Sequence, residues 1–441
     1  MKRVSANIDL GATAFGILQR LHEAGHDAYA VGGAVRDARL GLSAKEIDIA
    51  TSARPEEIQT LFERTHPVGE AFGVILVVEA GEALEVASFR KDEGYVDGRH
   101  PSSISYGSLD DDARRRDFTV NALYYDARTK EILDPVGGLE DLKSKTLRAI
   151  GDPHRRFAED HLRLLRCARF AAQLDFEIEE LCWDALVGEA SKIRNISAER
   201  IGAELTKLLT GPRPGQGLRI LLYSGLLDCV LPEIVAMVGV RQPPEFHPEG
   251  DVFVHSCLAL ENLESRTQIL AWAALLHDVG KPPTFRVAER IRFDGHVGRG
   301  MDMAKEILQR LRFDNESIKR IVELVHLHLK FADVFEMRAS TLKRFLRTEH
   351  FDDHMALHRA DCLASHGDLS LHDFCQAKLA ELGEAELRPP PLLGGRDLLA
   401  MGYEAGPLLG EILGEIETAQ LEGELHDEAA ARALVEKHWP L

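Results

Sequence analysis

The sequence predicts an α/β N-terminal head followed by all-α domains, on three observations. Up to about residue 140, short β-type runs alternate with helical segments. From Pro153 onward the apolar spacing is almost entirely helical. Breaker-rich joints punctuate the chain at Gly151–Pro153, at Gly211–Gly217 (GPRPGQG) and at Arg388–Gly395 (RPPPLLGG).

In chain order, Phe15, Ile17, Leu18 and Leu21 give an amphipathic helix that stops at Gly25. Asp27 to Val31 reads as a strand, and Gly32-Gly33 turns it into a helix carrying Arg36 and Asp37. A second strand holds Glu46 and Asp48, and Pro55 opens the next helix. Gly73 to Glu79 and Leu84 to Phe89, separated by Gly81, read as a hairpin, and Leu123–Asp126 with Glu131–Leu133 as a strand pair. Glu159, Arg163, Arg166 and Phe170 are spaced by four, three and four, which predicts one stripe of a single helix with Asp160 beside Arg163.

At 441 residues the chain exceeds a single core and reads as several units. It has no apolar run near the length of a membrane span and no signal-type apolar segment at its start. The six cysteines are scattered without any C-x-x-C, which argues against a zinc ribbon or a disulfide frame. The expectation is a soluble, cytoplasmic protein. A formal net charge of −19 argues against indiscriminate nucleic-acid binding. Arginines nevertheless crowd between Arg90 and Arg169, while the acidic excess lies elsewhere, notably from Glu381 onward. A basic groove on an acidic body suits one shaped RNA better than any polyanion.

Two short patterns carry chemistry. Glycines at a strand–helix junction let backbone N–H groups approach a phosphate, and Arg36 can reach the same anion. Glu46 and Asp48, two apart on a strand, would share a face and offer a site to a hard cation such as Mg²⁺. With these, RRDFTVNA (Arg115–Ala122), FRKDEGYVDGRHP (Phe89–Pro101) and EDHLRLLRCARF (Glu159–Phe170) stand in an order that resembles the polymerase-β superfamily. Specifically, the chain resembles the bacterial class II tRNA nucleotidyltransferase (CCA-adding) and poly(A) polymerase family from about Ala28 to Gly423.

The resemblance implies a polymerase-β-like head over residues 1–150 and a base-recognising helical neck over 151–212. A helical body over 213–245, an HD domain over 246–387 and a helical tail over 388–441 would follow. It also implies Mg²⁺ on Glu46 and Asp48 as the catalytic carboxylates, with Asp117 as a further candidate. Gly33, Arg36, Arg115, Arg116 and Asn121 would bind the nucleotide, and Arg166 and Arg169 would support its base or triphosphate. Asp160 and Arg163 are either an ordinary helix ion pair or the reader of the base. In the second case the carboxylate accepts from the exocyclic amino group that cytosine and adenine share, and repels uracil and guanine. The partners would be the tRNA 3′ end, CTP and ATP.

A second constellation lies downstream. His277-Asp278 closes an apolar helix, with His255 and His296 on either side and His326 and Asp361 beyond. This order resembles the HD-domain phosphohydrolases, with His255, His277, Asp278 and Asp361 ligating a divalent metal of unidentified type and His296 and His326 as further candidates. The remaining histidines, His328 among them, read as surface or core residues.

The match departs at two places. Glu46 stands where the family usually has Asp, and Ala71-Phe72-Gly73 stands where many relatives have His-Gly-Thr. The motifs leave open full CCA addition, CC-only or A-only addition, and poly(A) addition. From other classes, an HD phosphohydrolase with a degenerate transferase half and an inactive RNA-binding protein also remain.

Overall fold

The computed structural model describes all residues except 43–45, 70–72, 96–100 and 246, and no side chains at 69, 92, 93, 95 and 101–103. The Ala71-Phe72 departure lies outside the described residues. The chain forms two units, residues 1–235 with 310–312, and 236–309 with 313–441.

The first unit is built on an eight-stranded sheet. Its strands run in the order Lys2–Ser5, Glu131–Asp134, Tyr124–Asp126, Ala28–Val31, Asp48–Thr51, Glu82–Ser88, Val74–Glu79 and Thr65–Gly69. Every pairing is antiparallel except that of Asp48–Thr51 with Glu82–Ser88, where Ile49 lies opposite Val86. The central strand Ala28–Val31 is buried throughout. Tyr29, Val31, Ala50, Phe89, Ala122 and Tyr124 belong to one core cluster beneath it.

The helix Gly11–Glu23 buries Ala14, Ile17, Leu18 and Leu21 and ends before Gly25, whose φ of 88° only glycine adopts cheaply. Pro55 opens its helix as expected, and the hairpin strands form at Val74–Glu79 and Glu82–Ser88.

Helices account for most of the chain beyond Pro153 and for all its regular structure except three two-residue strands, among the described residues. Two sequence expectations change here. GPRPGQG breaks the chain only at Gly211–Arg213, because Pro214 sits at a helix start and the helix Pro214–Tyr223 runs through both glycines. Gly217 is needed there, since a Cβ would lie 2.7 Å from the Leu208 side chain. The expected single helix around EDHLRLLR is two helices, Pro153–Glu159 and Leu162–Leu174. Asp160 takes extended angles between them and accepts from the Leu162 N–H, starting the second helix as a local turn.

In the second unit, apolar helices such as Gln268–Leu276 pack into a core around Trp272, and Phe331, Phe345, Phe351 and Met355 form a separate cluster. The tail closes over its own cluster, including Leu398, Ile412, Ile416 and Val435.

Candidate active site and a second metal-type centre

Asp48 is the first residue of its strand, and Glu46 lies two residues before it, exposed and outside the ladder. The expected shared strand face is therefore not formed by pleating. What the strand supplies is a neighbour: Ile49 opposite Val86 places Glu85 alongside Asp48. Asp48 feels the charge of Glu46, and Glu85 feels both Asp48 and Glu46. The cleft walls strip water from Asp48 and push its carboxyl up, Arg116 opposes this, and Glu46 adds to it. Glu85 is likewise raised by desolvation, then by Asp48 and Glu46. Clustered negative charge that the protein leaves under-compensated fits a divalent cation.

Gly32 joins this cluster to the arginines. It adopts φ 77°, and a Cβ there would lie 3.7 Å from Arg116 Nη1 and 3.8 Å from Asp48 Oδ2. Carboxylate, guanidinium and glycine backbone thus open on one space. Gly33 begins a helix of only seven residues, so Arg36 rather than a long helix dipole supplies charge here.

The Arg116 guanidinium is positioned by Asp112, which sequence reasoning missed. Asp112 is fully buried and accepts from Arg115 Nε at 2.9 Å, Arg116 Nη2 at 3.0 Å and the Tyr124 hydroxyl at 2.7 Å. Burial works against its charge, but Arg116 and Arg115 outweigh it and hold the carboxyl below its usual range. Arg115 also lines a separate cleft of about 510 Å³ with Lys91, Arg114, Arg148, Arg155 and Arg156.

Asp117 organises the opposite wall. It accepts from Arg166 at 2.8 and 2.6 Å and from Asn121 Nδ2 at 3.1 Å, while Arg36 donates to Asn121 Oδ1. Burial again works against the carboxylate, and Arg166 with Asn121 more than offsets it, holding Asp117 well below the usual range. Asp117 was expected as a further carboxylate beside Glu46 and Asp48, but its oxygens are held by Arg166 and Asn121 and it orders the pocket instead. Glu85 is the third carboxylate at Asp48.

Asp160 and Arg163 are not paired with each other. Arg163 donates to Glu159 at 3.1 Å and to the carbonyls of Arg156 and Arg115 at 2.9 and 2.8 Å, and is buried. Asp160 faces Arg200 at 3.6 Å. The helix break separates the two side chains, so the expected pair between them is not formed, and each has a different partner instead: Glu159 for Arg163 and Arg200 for Asp160. Arg169 pairs with the buried Glu204 at 2.7 Å.

In the second unit, His255, His277 and Asp361 present ligand atoms within 4.8 Å of one another, and so do Asp278, His296 and His328. His255 Nε2 lies 2.9 Å from Asp361 and 3.7 Å from Asp278, and 3.2 Å from His277 Nε2. Here His328 replaces the expected His326. His326 is exposed on the helix Asn315–Leu327, whereas His328 starts a 3-10 turn that carries it inward, 3.9 Å from Asp278.

Burial, with His277 adding to it, lowers His328 to about 4; burial also lowers His296. Their buried Nε2 atoms have no hydrogen-bond partner. Neutral nitrogens aimed at a carboxylate without a donor between them fit a metal ion. His255 behaves oppositely: burial would lower it, but Asp361 and Glu249 raise it to about 9. Behind the cluster, Glu249 lies 2.7 Å from His255 Nδ1, and Lys281 Nζ donates to Asp278 and to Gln242 at 2.6 Å each. Gly280 admits the helix His296–Arg310: a Cβ at this glycine would lie 2.1 Å from the His296 carbonyl oxygen.

A mixed sheet offering carboxylates from two adjoining strands, beside a glycine turn and carboxylate-held arginines, defines a nucleotidyltransferase of the polymerase-head class. Family models agree along the chain. Residues 28–148 match the poly(A) polymerase head domain, 175–237 the probable RNA and SrmB-binding site of polymerase A, and 250–362 the HD domain. A CCA-adding enzyme of Streptococcus suis is 33% identical over 94% of this chain and 93% of its own length. The chain belongs to the CCA-adding enzyme family. The solved CCA-adding enzyme of Bacillus stearothermophilus, in complex with CTP, superposes with a TM-score of 0.74 at 28% identity over 96% of each chain. A Thermotoga maritima CCA-adding enzyme complexed with tRNA shares the fold, with a TM-score of 0.58 at 19% identity over 96% of this chain and 93% of its own. Among the described residues no helix is long and apolar enough to cross a membrane.

Proposed function

We propose that this chain adds C and A to the 3′ end of tRNA from CTP and ATP, in the cytoplasm and without a nucleic-acid template. The observation that carries the reading is the space around Gly32, where the Asp48 cluster and the Arg116 guanidinium face each other. Asp48, Glu85 and Glu46 would hold Mg²⁺, which supplies activation of the RNA 3′-hydroxyl and charge neutralisation on the triphosphate. Arg116, fixed by Asp112 and Tyr124, and Arg36, fixed by Asn121, bind triphosphate oxygens with little reorganisation. Asp160 accepts from the amino group of cytosine or adenine, and Arg163 donates to the neighbouring ring nitrogen. The cleft that Arg115 lines offers cations to RNA phosphates. The relatives' names and the neighbour's bound CTP support this substrate choice.

The test is to incubate purified protein with tRNAs ending before C, at CC and at CCA, supplying each labelled nucleotide separately. Sequential C, C and A addition with no extension past CCA is expected. CC-only, A-only or unlimited A addition would replace the reading.

The histidine–aspartate centre supports a second, metal-dependent phosphohydrolase activity, because the unpartnered buried Nε2 atoms of His296 and His328 face Asp278 Oδ1, the oxygen that Lys281 does not hold, and leave room there for an ion. His255, His277, Asp278, Asp361, His296 and His328 would be the ligands. Metal titration followed by assay on phosphate mono- and diesters tests this; failure to bind any divalent ion would overturn it.

A further inference from the structure

Three guanidinium groups converge on one aromatic ring in the transferase site. Arg169 Cζ lies 4.0 Å from the Phe170 centroid, and the Cζ atoms of Arg36 and Arg166 each lie 5.2 Å from it. Phe118 closes the ring's surroundings edge-on, at 5.9 Å and 75°. Phe170 is itself buried, at 7% exposure.

The arginines come from two helices, Gly33–Arg39 and Leu162–Leu174. Each also has an acceptor of its own: Asn121 for Arg36, Asp117 for Arg166 and Glu204 for Arg169. Those bonds fix each fork separately. They do not explain why three like charges gather within reach of one buried side chain. The crowding has a cost: burial lowers Arg169 from its ordinary value, and Arg166 adds to this against the support of Glu204.

An aromatic face carries the negative part of the ring quadrupole and attracts a cation within about 6 Å, more strongly where water is excluded. Leucine would fill much of the same space and offer none of this. The Phe170 ring is thus a contact that all three arginines share.

We propose that Phe170 is a positioning residue of the nucleotide site, its ring gathering Arg36, Arg166 and Arg169 into a preassembled cationic wall for a nucleoside triphosphate. The proposal rests on the reading above that this wall receives CTP and ATP. A wall assembled before the ligand arrives spares binding the cost of ordering three long side chains. The ring itself need touch neither base nor phosphate.

The experiment replaces Phe170 in the full-length protein with mono-, di- and trifluorophenylalanine, which drain the ring faces with little change of shape. Affinity for CTP and for ATP is then measured by calorimetry without tRNA. The expected result is a stepwise rise in Kd for both nucleotides across the series, with the melting temperature held. Phe170→Leu should weaken both by about tenfold or more, since three contacts are lost together, and Phe170→Tyr should restore binding to within a few-fold of wild type. Steady-state addition should show the loss mainly in KM. A flat Kd across the fluorinated series would overturn the proposal, and the series decides even if Phe170→Leu fails to fold. A Phe170→Leu variant that melts lower yet binds both nucleotides normally would also overturn it, by showing a packing role alone. A wild-type chain that binds neither CTP nor ATP would overturn the underlying functional reading, and this one with it.

Discussion

The two centres handle charge in opposite ways. In the transferase site the metal-type carboxylates Asp48, Glu46 and Glu85 still reach solvent, although Asp48 and Glu85 are partly desolvated, and the cations nearby are already tied to other acids: Arg116 to Asp112, Arg166 to Asp117 and Arg169 to Glu204. In the histidine–aspartate site the acid Asp278 and its histidines are almost wholly buried and turned on one another. Under the proposed function, the first arrangement would leave its charge to be completed by ion, triphosphate and RNA on each cycle. The second suits an ion that stays. An open site should therefore be sensitive in rate, and a closed one in occupancy.

The largest expected effect follows from the open side. Asp48→Ala should lower nucleotide addition by roughly a thousandfold, while fold and tRNA binding persist, because the lost group holds no core contact. Single-turnover addition with circular dichroism and tRNA titration checks this, and near-normal addition would remove Asp48 from the metal role. On the closed side, His277→Ala with Asp278→Ala should abolish bound metal and any hydrolysis of phosphate esters while nucleotide addition survives. If a folded double mutant lost addition, the two centres would not be separable as argued.

Base reading comes next in size. Asp160→Ala should relax discrimination against UTP and GTP by about one to two orders of magnitude, the worth of one charged hydrogen bond of roughly 1.5–3 kcal/mol. Arg163→Ala should do the same and also lower the melting temperature, since it leaves the buried Glu159 and two carbonyls short of a donor. Unchanged preference in both would reduce the pair to structural residues.

The pH dependence of metal uptake is a smaller effect with a definite sign. His255 is raised to about 9 in the metal-free chain, so at neutral pH it carries a proton that a metal must displace. Metal affinity should climb as pH rises toward about 9, with roughly one proton released per ion bound. His296 and His328, already neutral, should add little to that slope. Calorimetry in buffers of different ionisation enthalpy counts the protons; none released at pH 7 would contradict the assignment. Least of all, Glu46→Asp should change addition only a few-fold, because an exposed residue outside the strand can adjust.

Much of this was legible in the chain itself. The glycine turn and the strand pair around Tyr124 and Leu133 follow from local pattern and stand where expected, while the strand expected to hold Glu46 and Asp48 begins only at Asp48. What escaped was set by distant parts of the chain. Glu85 belongs to no motif and reaches Asp48 only because two strands far apart in sequence pair in parallel. Asp112 lies in a run of three aspartates with nothing local to single it out. Periodicity extended one helix through Asp160, whose side chain ends that helix by capping the next turn. The family-like order of His and Asp residues pointed to His326, but order alone does not show that a 3-10 turn beginning at His328 carries that side chain inward instead.

Gly280 shows how little a census of ligands says about a site. The helix bearing His296 crosses so close that one added methyl would have to occupy the space of a carbonyl oxygen. A chain could keep all six candidate ligands, acquire alanine at this position, and have its last imidazole levered out of range. Its sequence would still advertise a metal centre that its backbone no longer permits. The residue to inspect first, in any chain of this design, is the one that contributes no side chain at all.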